Sequence, residues 1–154
     1  MSKSIQGQAE PRPVAIDPRG PRFNQTVLAV VLVFGFAAGV WPVAPVMGVF
    51  LGLGAWIRPT LNPTLFIYRT LMSPRLGPPS HLEDPRPPRF AARLGAAFLA
   101  LATVAFLAHM TAVGWGLTLL VATLATLAAT TGICVGCELY LLLPGRPRTA
   151  NKTS

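Results

Sequence analysis

Apolar residues run along this chain in four stretches that are separated by prolines, glycines or polar segments. The first covers about residues 24–41 and the second residues 46–57, with two prolines between them. Because residues 24–57 contain no charged side chain, a hairpin of two helices fits this run better than one very long helix. The second stretch is short for a hydrocarbon core of about 30 Å, which needs about 20 residues.

The second half of the chain repeats this pattern with longer stretches. The third covers about residues 91–111, and the fourth begins near Trp115 after a glycine-containing turn. A single straight helix over residues 115–143 would overshoot the bilayer at about 1.5 Å per residue. We therefore expect a break near Gly132, followed by a separate short helix over residues 133–143.

The long polar connection, residues 58–89, is rich in proline and arginine. Within it, residues 64–72 can lie as an interfacial helix with Arg69 toward water. The pattern predicts an all-α membrane protein, a four-span bundle with short interfacial helices after spans two and four. The predicted regions are a Pro-rich cytoplasmic tail (1–22), a membrane domain (23–143) and a cytoplasmic tail (144–154).

Composition and charge support a membrane location. The chain is 52% apolar and only 12% charged, against roughly 25% charged in typical soluble domains. A soluble fold of 154 residues has too much surface to bury so much apolar material. The basic residues flank the apolar runs and do not form a stripe on a soluble scaffold, so we expect no nucleic-acid partner.

The 13 Lys and Arg residues also predict an orientation. All lie in the two tails or in the middle segment and its flanks, and the two short turns between spans contain none. By the positive-inside rule, both termini and the middle segment then face the cytoplasm, and the protein lies in the inner membrane.

A short motif occurs twice. Residues 17–23, DPRGPRF, recur at residues 84–90 as DPRPPRF, with six of seven positions identical at an offset of 67. Each copy precedes an apolar hairpin, so the chain divides into halves of about residues 17–83 and 84–143. Because each half contains an even number of spans, we expect parallel repeats related by an axis along the membrane normal, with any site at their interface.

Two roles are open for the DPRxPRF motif. Its prolines suit the first turn of a helix, its arginines can lie at headgroup depth, and its phenylalanine can dip into the acyl boundary, so one role is a lipid-facing anchor. The other is a clamp, in which each aspartate pairs with an arginine of the other copy. The interface residues are Asp17, Arg19, Arg22, Asp84, Arg86 and Arg89.

The chemistry-bearing motif is CVGC, residues 134–137, which holds the only two cysteines in the chain. It follows the predicted break and begins the last short helix, where unpaired N–H groups and the helix dipole stabilise a thiolate. We expect Cys134 to attack and Cys137 to resolve the resulting mixed disulfide. A reducing cytoplasm favours a cycling or metal-bound pair over a permanent disulfide.

Other interpretations of the two cysteines stay open. The cysteines can simply pack as small apolar side chains. One CxxC supplies two ligands where zinc takes four, and His81 and His109 are badly placed to complete the set, although a homodimer would supply four thiolates. Glu138 stands where a c-type haem site requires histidine, and we assign no metal and no cofactor.

Glu138 is the third candidate site residue. An acid in an apolar stretch is costly in lipid and indicates a function or a partner. It can exchange a proton with Cys137, pair with an arginine of the middle segment, or lie hydrated among the headgroups.

The residues resemble a known family. Residues 17–23, 74–79 with 82–85, and the GICVGCELY segment at 132–140 resemble an uncharacterised bacterial integral-membrane family, the domain of unknown function numbered 4395. The resemblance covers about residues 16–143 and implies no established activity. It also implies a gene neighbourhood of thioredoxin-like and rhodanese-like genes.

Our leading hypothesis is a membrane-embedded thiol-redox or sulfur-relay protein that uses Cys134 and Cys137 with a soluble thioredoxin-like or rhodanese-like partner. One alternative is a transporter subunit for a small sulfur-containing anion, and another is a structural membrane subunit. A complete quinone-linked catalyst is not expected, because a relay to a distant partner generally needs two cysteine pairs. Whether the protein is an enzyme stays open.

Overall fold

The structure, a computed structural model, describes residues 16–79 and 82–142. His81, the last residue of the second half and all or most of both predicted tails lie outside these ranges. In the described ranges the regular structure is helical, apart from one isolated backbone pairing. The helices are α1 (Arg19–Ala37), α2 (Val43–Gly52), α3 (Pro63–Ile67), α4 (Ser73–Leu76), α5 (Arg86–Leu107), α6 (Thr111–Thr131) and α7 (Val135–Leu142). A π-helical turn, Leu53–Ile57, extends α2, and another, Tyr68–Met72, joins α3 to α4.

Helices α1 and α5 begin about five residues earlier than the predicted spans. Both DPRxPRF copies form the first helical turn and do not merely precede it, because a proline there loses no hydrogen bond that the helix needs. The preceding aspartate caps each start: Asp17 accepts the Arg19 N–H at 2.9 Å, and Asp84 accepts the Arg86 N–H at 2.8 Å. The hairpin turns also lie earlier in the chain than predicted, at residues 38–42 and 108–110.

The two hairpin turns have the same backbone form. After α1, Gly39 takes a left-handed conformation with φ +67°, and the Val40 N–H reaches back to the Gly35 carbonyl at 2.8 Å. After α5, His109 takes the corresponding position with φ +59°. The N–H of the following residue, Met110, donates to the Ala105 carbonyl at 2.8 Å. A histidine therefore occupies a conformation that favours glycine.

The apolar helices pack across the two halves as well as within the second half. Helix α1 packs on α6, and α2 packs on α5, with α5 also contacting α6 and α7. Leu32, Leu99 and Ala102 are fully buried between these helices. Gly48 lets α2 approach α5 closely, since a Cβ there would lie 3.1 Å from the Leu99 Cβ. Small residues at helix contacts are typical of membrane bundles.

Three helices, α1, α5 and α6, are long and apolar enough to cross a membrane, and Val43–Ile57 is a shorter apolar helix. Their outer faces carry exposed apolar side chains such as Phe34 (71% exposed) and Leu107 (66% exposed). An exposed apolar surface of this extent marks contact with lipid or with another protein. Together with the low charge, it indicates a membrane protein.

Candidate thiol site

The site begins where α6 ends. Gly132 ends the helix in a left-handed conformation with φ +75°, and its N–H returns to the Ala128 carbonyl at 3.1 Å. A Cβ on Gly132 would collide with a guanidinium nitrogen of Arg22, so this arginine covers the turn. The break expected near Gly132, and the separate short helix after it, are confirmed.

Cys134 caps the start of α7. Its carbonyl accepts the Glu138 N–H at 2.9 Å. Its sulfur accepts the thiol of Cys137 and the backbone N–H groups of Cys137 and Gly136. The Cys137 thiol is the largest influence, and with the N–H groups it outweighs burial and lowers the pKa of Cys134 to about 6. Cys134 is therefore largely a thiolate at neutral pH.

Cys137 is the thiol that keeps its proton. Its hydrogen bond to Cys134 raises its pKa most, followed by burial and by the negative charges of Cys134, Glu83 and Glu138. Both cysteines are free and half-buried. The pair thus consists of one thiol with a lowered pKa and one with a raised pKa.

Glu83 is a neighbour of the site that sequence reasoning missed. It lies just before α5, and its backbone exchanges two hydrogen bonds of 2.9 Å with Ile16. This pairing fixes Glu83 near Cys137, far away along the chain. Glu138, which was predicted from the sequence as a site residue, is exposed. Its negative charge acts to raise the pKa of both cysteines.

The CVGC segment packs tightly on α5. A Cβ on Gly136 would lie 2.7 Å from the Cβ of Ala91, so only glycine allows this approach. On the next turn, the Tyr140 ring contacts the Phe90 ring at a centroid distance of 5.6 Å. The motif phenylalanine of the second half therefore packs on α7.

A small cleft opens beside Cys134. Its volume is about 60 Å³, and it lies between α1, α2, α5 and α6. Gln25 and Cys134 are its polar lining residues, and its other walls include Leu51, Gly95 and Leu124. Cys137 is not among the lining residues.

The DPRxPRF side chains lie around the same end of the bundle. Asp17 also accepts the Tyr68 hydroxyl at 2.9 Å, and Arg19 donates to the Leu76 carbonyl at 3.3 Å. Burial, then Asp17, raises the pKa of Tyr68 to about 12. Arg86 is half-buried and Arg89 is exposed. The contact that joins the two copies is the backbone pairing described above, next to each aspartate.

A second helix start shares its capping hydrogen bonds with the cysteine turn (residues 132–138). In this asparagine turn (residues 60–66), Asn62 caps α3: its side chain accepts the Thr64 N–H at 3.1 Å, and its carbonyl accepts the Phe66 N–H at 2.9 Å. Tyr68 follows Asn62 by six positions, as Tyr140 follows Cys134, and contacts the first motif phenylalanine at 5.8 Å.

The asparagine turn is locked to α1 by buried polar side chains. Asn62 donates to the Asn24 side chain at 3.1 Å, and the Thr64 hydroxyl donates to the same Asn24 oxygen. All three residues are buried. The Asn-Pro-Thr capping pattern at residues 62–64 is the sequence signal for this lock.

The sequence of this chain matches, over residues 16–144, a family described as a domain of unknown function, DUF4395. The chain belongs to this family. The resemblance noted from the sequence is therefore confirmed, and the matched range contains both DPRxPRF copies and both cysteines. No curated protein and no solved structure matches the chain.

The description of DUF4395 assigns no activity, so the function must be argued from the site itself. Over residues 16–79 and 82–142, no group of three or more His, Cys, Asp or Glu side chains is arranged to hold a metal ion. The chemistry that the described residues bring together is that of two thiols with acidic neighbours.

Proposed function

We propose that four helices of this chain cross the inner membrane, with the end where α1 and α5 begin facing the cytoplasm. The described arginines all belong to this end, and the two hairpin turns contain no Lys or Arg. At the opposite end, Trp115 contacts Phe36 and Phe106 at 5.2 and 5.0 Å, as in an aromatic belt. The shorter crossing, Val43–Ile57, needs only modest local thinning of the bilayer.

The two halves are, in this proposal, parallel repeats related by a local two-fold axis. Support comes from the pairing of Ile16 with Glu83, which occupy the same position before each motif copy and exchange reciprocal hydrogen bonds. The first helix of each half packs on the second helix of the other, and the two turns share one geometry. Helix α7 then lies at the membrane surface, with Val135, Leu139 and Leu142 exposed toward lipid.

The function that this geometry supports best is thiol–disulfide exchange with a soluble cytoplasmic protein, of thioredoxin-like or rhodanese-like chemistry. The observation that carries it is the Cys134 sulfur at the start of α7, in contact with two N–H groups and the Cys137 thiol. A thiolate held next to a protonated second thiol is the arrangement that disulfide exchange requires.

The exchange proceeds in two steps. The Cys134 thiolate attacks a disulfide of the partner, forms a mixed disulfide and releases one partner thiolate. Cys137 then gives up its proton, and its sulfur attacks the Cys134 sulfur and releases the second partner sulfur as a thiol. Two electrons pass to the partner, and the Cys134–Cys137 disulfide remains until a reductant of the dithiol class reverses the sequence.

The test is capture of the mixed disulfide in the full-length chain with Cys137→Ala. Losing the resolving thiol should leave the partner covalently attached to Cys134, visible as a band that dithiothreitol releases. Trapping is best done near pH 8, since this variant also loses the hydrogen bond that stabilises the thiolate.

The matched control carries Cys134→Ala with an intact Cys137, and it should capture nothing. Equal capture by both variants would show that either half-buried thiol reacts without the proposed geometry. No mixed disulfide with any protein or model disulfide would reject the function.

A transport role for a small sulfur-containing anion makes a different prediction. It requires uptake of a sulfur source to fall in cells that lack the protein, and to stay low with Cys134→Ser. Normal uptake in both strains would leave exchange as the function.

A further inference from the structure

The cleft beside Cys134 places a thiol of lowered pKa at a small, mostly apolar space between the helices. Four helices from both halves contribute its walls, and Gln25 is the other polar residue in its lining. A site for an aqueous anion would carry several donors or a positive charge, whereas this lining suits an uncharged, polarizable group.

Its size decides which groups fit. A volume of about 60 Å³ exceeds the roughly 10–15 Å³ that one water molecule needs and is well below the about 150 Å³ of a cavity that accepts benzene. The ring of a quinone is therefore too large to lie wholly inside the cleft. One divalent sulfur atom, which is close to a water molecule in size, fits.

The two thiols also face different surroundings. Cys134 lines the cleft together with Val135 and Gly136, and Cys137 does not line it. A sulfur atom added to Cys134 can point into the cleft, on the side away from Cys137. Burial and the charges of Glu83 and Glu138 still disfavour the Cys137 thiolate when Cys134 carries the added sulfur. The added sulfur is then not displaced at once.

From this arrangement we infer that Cys134 carries sulfane sulfur as a persulfide, with the outer sulfur seated in the cleft between the halves. The inference rests on the proposed thiol function and names its substrate class as protein or low-molecular-weight persulfides.

Loading and unloading both conserve electrons. The Cys134 thiolate attacks the outer sulfur of a donor hydropersulfide, so a new S–S bond forms on Cys134 and the donor leaves as its thiolate. An acceptor thiolate then attacks the outer sulfur, takes it as a new hydropersulfide and restores the Cys134 thiolate. If Cys137 instead loses its proton and attacks the inner sulfur, hydrosulfide leaves and the intramolecular disulfide forms.

The experiment measures loading and lifetime of the persulfide on purified full-length protein in lipid nanodiscs. Reduced protein is treated with cysteine hydropersulfide, excess reagent is removed, and intact mass after alkylation reports one added sulfur on Cys134. Filling the cleft is tested with Gly95→Leu, and with the milder Gly95→Ala, whose Cβ would have ordinary contact with Leu51 at 3.6 Å. The matched control is Gly116→Leu, at a site with open space around its Cβ.

We expect the parent and Gly116→Leu to hold one added sulfur, and Gly95→Leu to lose it about tenfold faster, a change worth about 1.4 kcal/mol in the barrier, with Gly95→Ala between them. Disulfide exchange with a model disulfide should stay normal in all four proteins, which shows that they fold. Equal lifetimes in all four would overturn the cleft as the sulfur site. Normal disulfide exchange without any sulfur adduct would reject the persulfide inference and leave the proposed function standing. If the parent protein showed neither disulfide exchange nor a sulfur adduct, the inference and the proposed function would both be rejected.

Discussion

The asparagine turn and the cysteine turn share the same capping hydrogen bonds but differ in the chemistry of the capping side chain. In each, a capping residue accepts the N–H of the residue two positions on, and its carbonyl accepts the N–H four positions on. In each, a tyrosine six positions later packs on the phenylalanine of a DPRxPRF copy. The capping atom is an amide oxygen of Asn62 in one turn and the sulfur of Cys134 in the other.

The turns differ in how each is attached to the long helix beside it. The residue after the motif phenylalanine is Asn24 in α1 and Ala91 in α5. Asn24 is hydrogen-bonded to the asparagine turn in a buried network, whereas Ala91 offers only contact with the backbone of Gly136. An asparagine side chain at the capping position stabilises the helix start and is chemically inert. A cysteine at the same position receives the same N–H groups, which stabilise its thiolate.

The largest effect is expected from making the second turn like the first. Cys134→Asn should abolish disulfide exchange and alkylation at this position, while the unfolding free energy changes by less than about 1 kcal/mol because asparagine also caps helices well. Reaction with a model disulfide and a denaturant titration in detergent would measure the two quantities. Exchange that persists through Cys137 alone would contradict the assignment of Cys134 as the nucleophile.

The lock of the first turn is tested by Asn24→Ala. The side chains of Asn62 and Thr64 lose their shared acceptor inside the protein, so we expect a loss of about 2 kcal/mol in unfolding free energy. The control is Thr26→Ala on the same helix, where an exposed hydroxyl bonds only to the Arg22 carbonyl, and its effect should stay within about 0.5 kcal/mol. Equal effects of the two variants would show that the network adds no stability.

The hydrogen bond between the thiols has a consequence for pH. Alkylation of Cys134 should be half-maximal near pH 6 and should fall below that pH as the thiolate gains a proton. In Cys137→Ala the largest cause of the lowered pKa is absent, so the midpoint should move up and the rate at pH 7 should drop about tenfold. Glu138→Gln retains both thiols and removes a charge that raises the pKa of Cys134, so its midpoint should move down instead. An unchanged midpoint in Cys137→Ala would show that the N–H groups alone hold the thiolate.

The smallest effect concerns the two hairpin turns, at the end of the bundle opposite the thiols. His109 and Gly39 share a left-handed conformation, which costs about 1–2 kcal/mol for most L-residues. Part of this strain should be released by His109→Gly, with a gain of about 0.5 kcal/mol after the entropy of glycine in the unfolded chain is counted. The reverse change, Gly39→His, should destabilise, and opposite signs in a thermal unfolding assay would confirm that the turns are equivalent.

Local sequence patterns predicted much of the fold and part of the site. The apolar stretches, the break at Gly132 and the final short helix followed from periodicity and from glycine and proline positions. The spacing of the CxxC motif predicted that the two thiols lie close together, and they do. The predicted spans begin too late, because the apolar stretches start only after each motif, whereas the motif's prolines and arginines already belong to the first helical turn.

The amino-acid sequence by itself determined where helices form, which end carries the arginines and which residues can act as thiols, because these depend on neighbours along the chain. Only the tertiary structure decided that α1 packs on α6, that Glu83 lies near Cys137 and that Arg22 covers Gly132. The equivalence of the two turns also needed it, since their capping residues are offset by 72 positions while the motif copies are offset by 67. Apolar helices with small residues offer many similar packing faces, so their pairing depends on contacts between distant segments that no local pattern encodes.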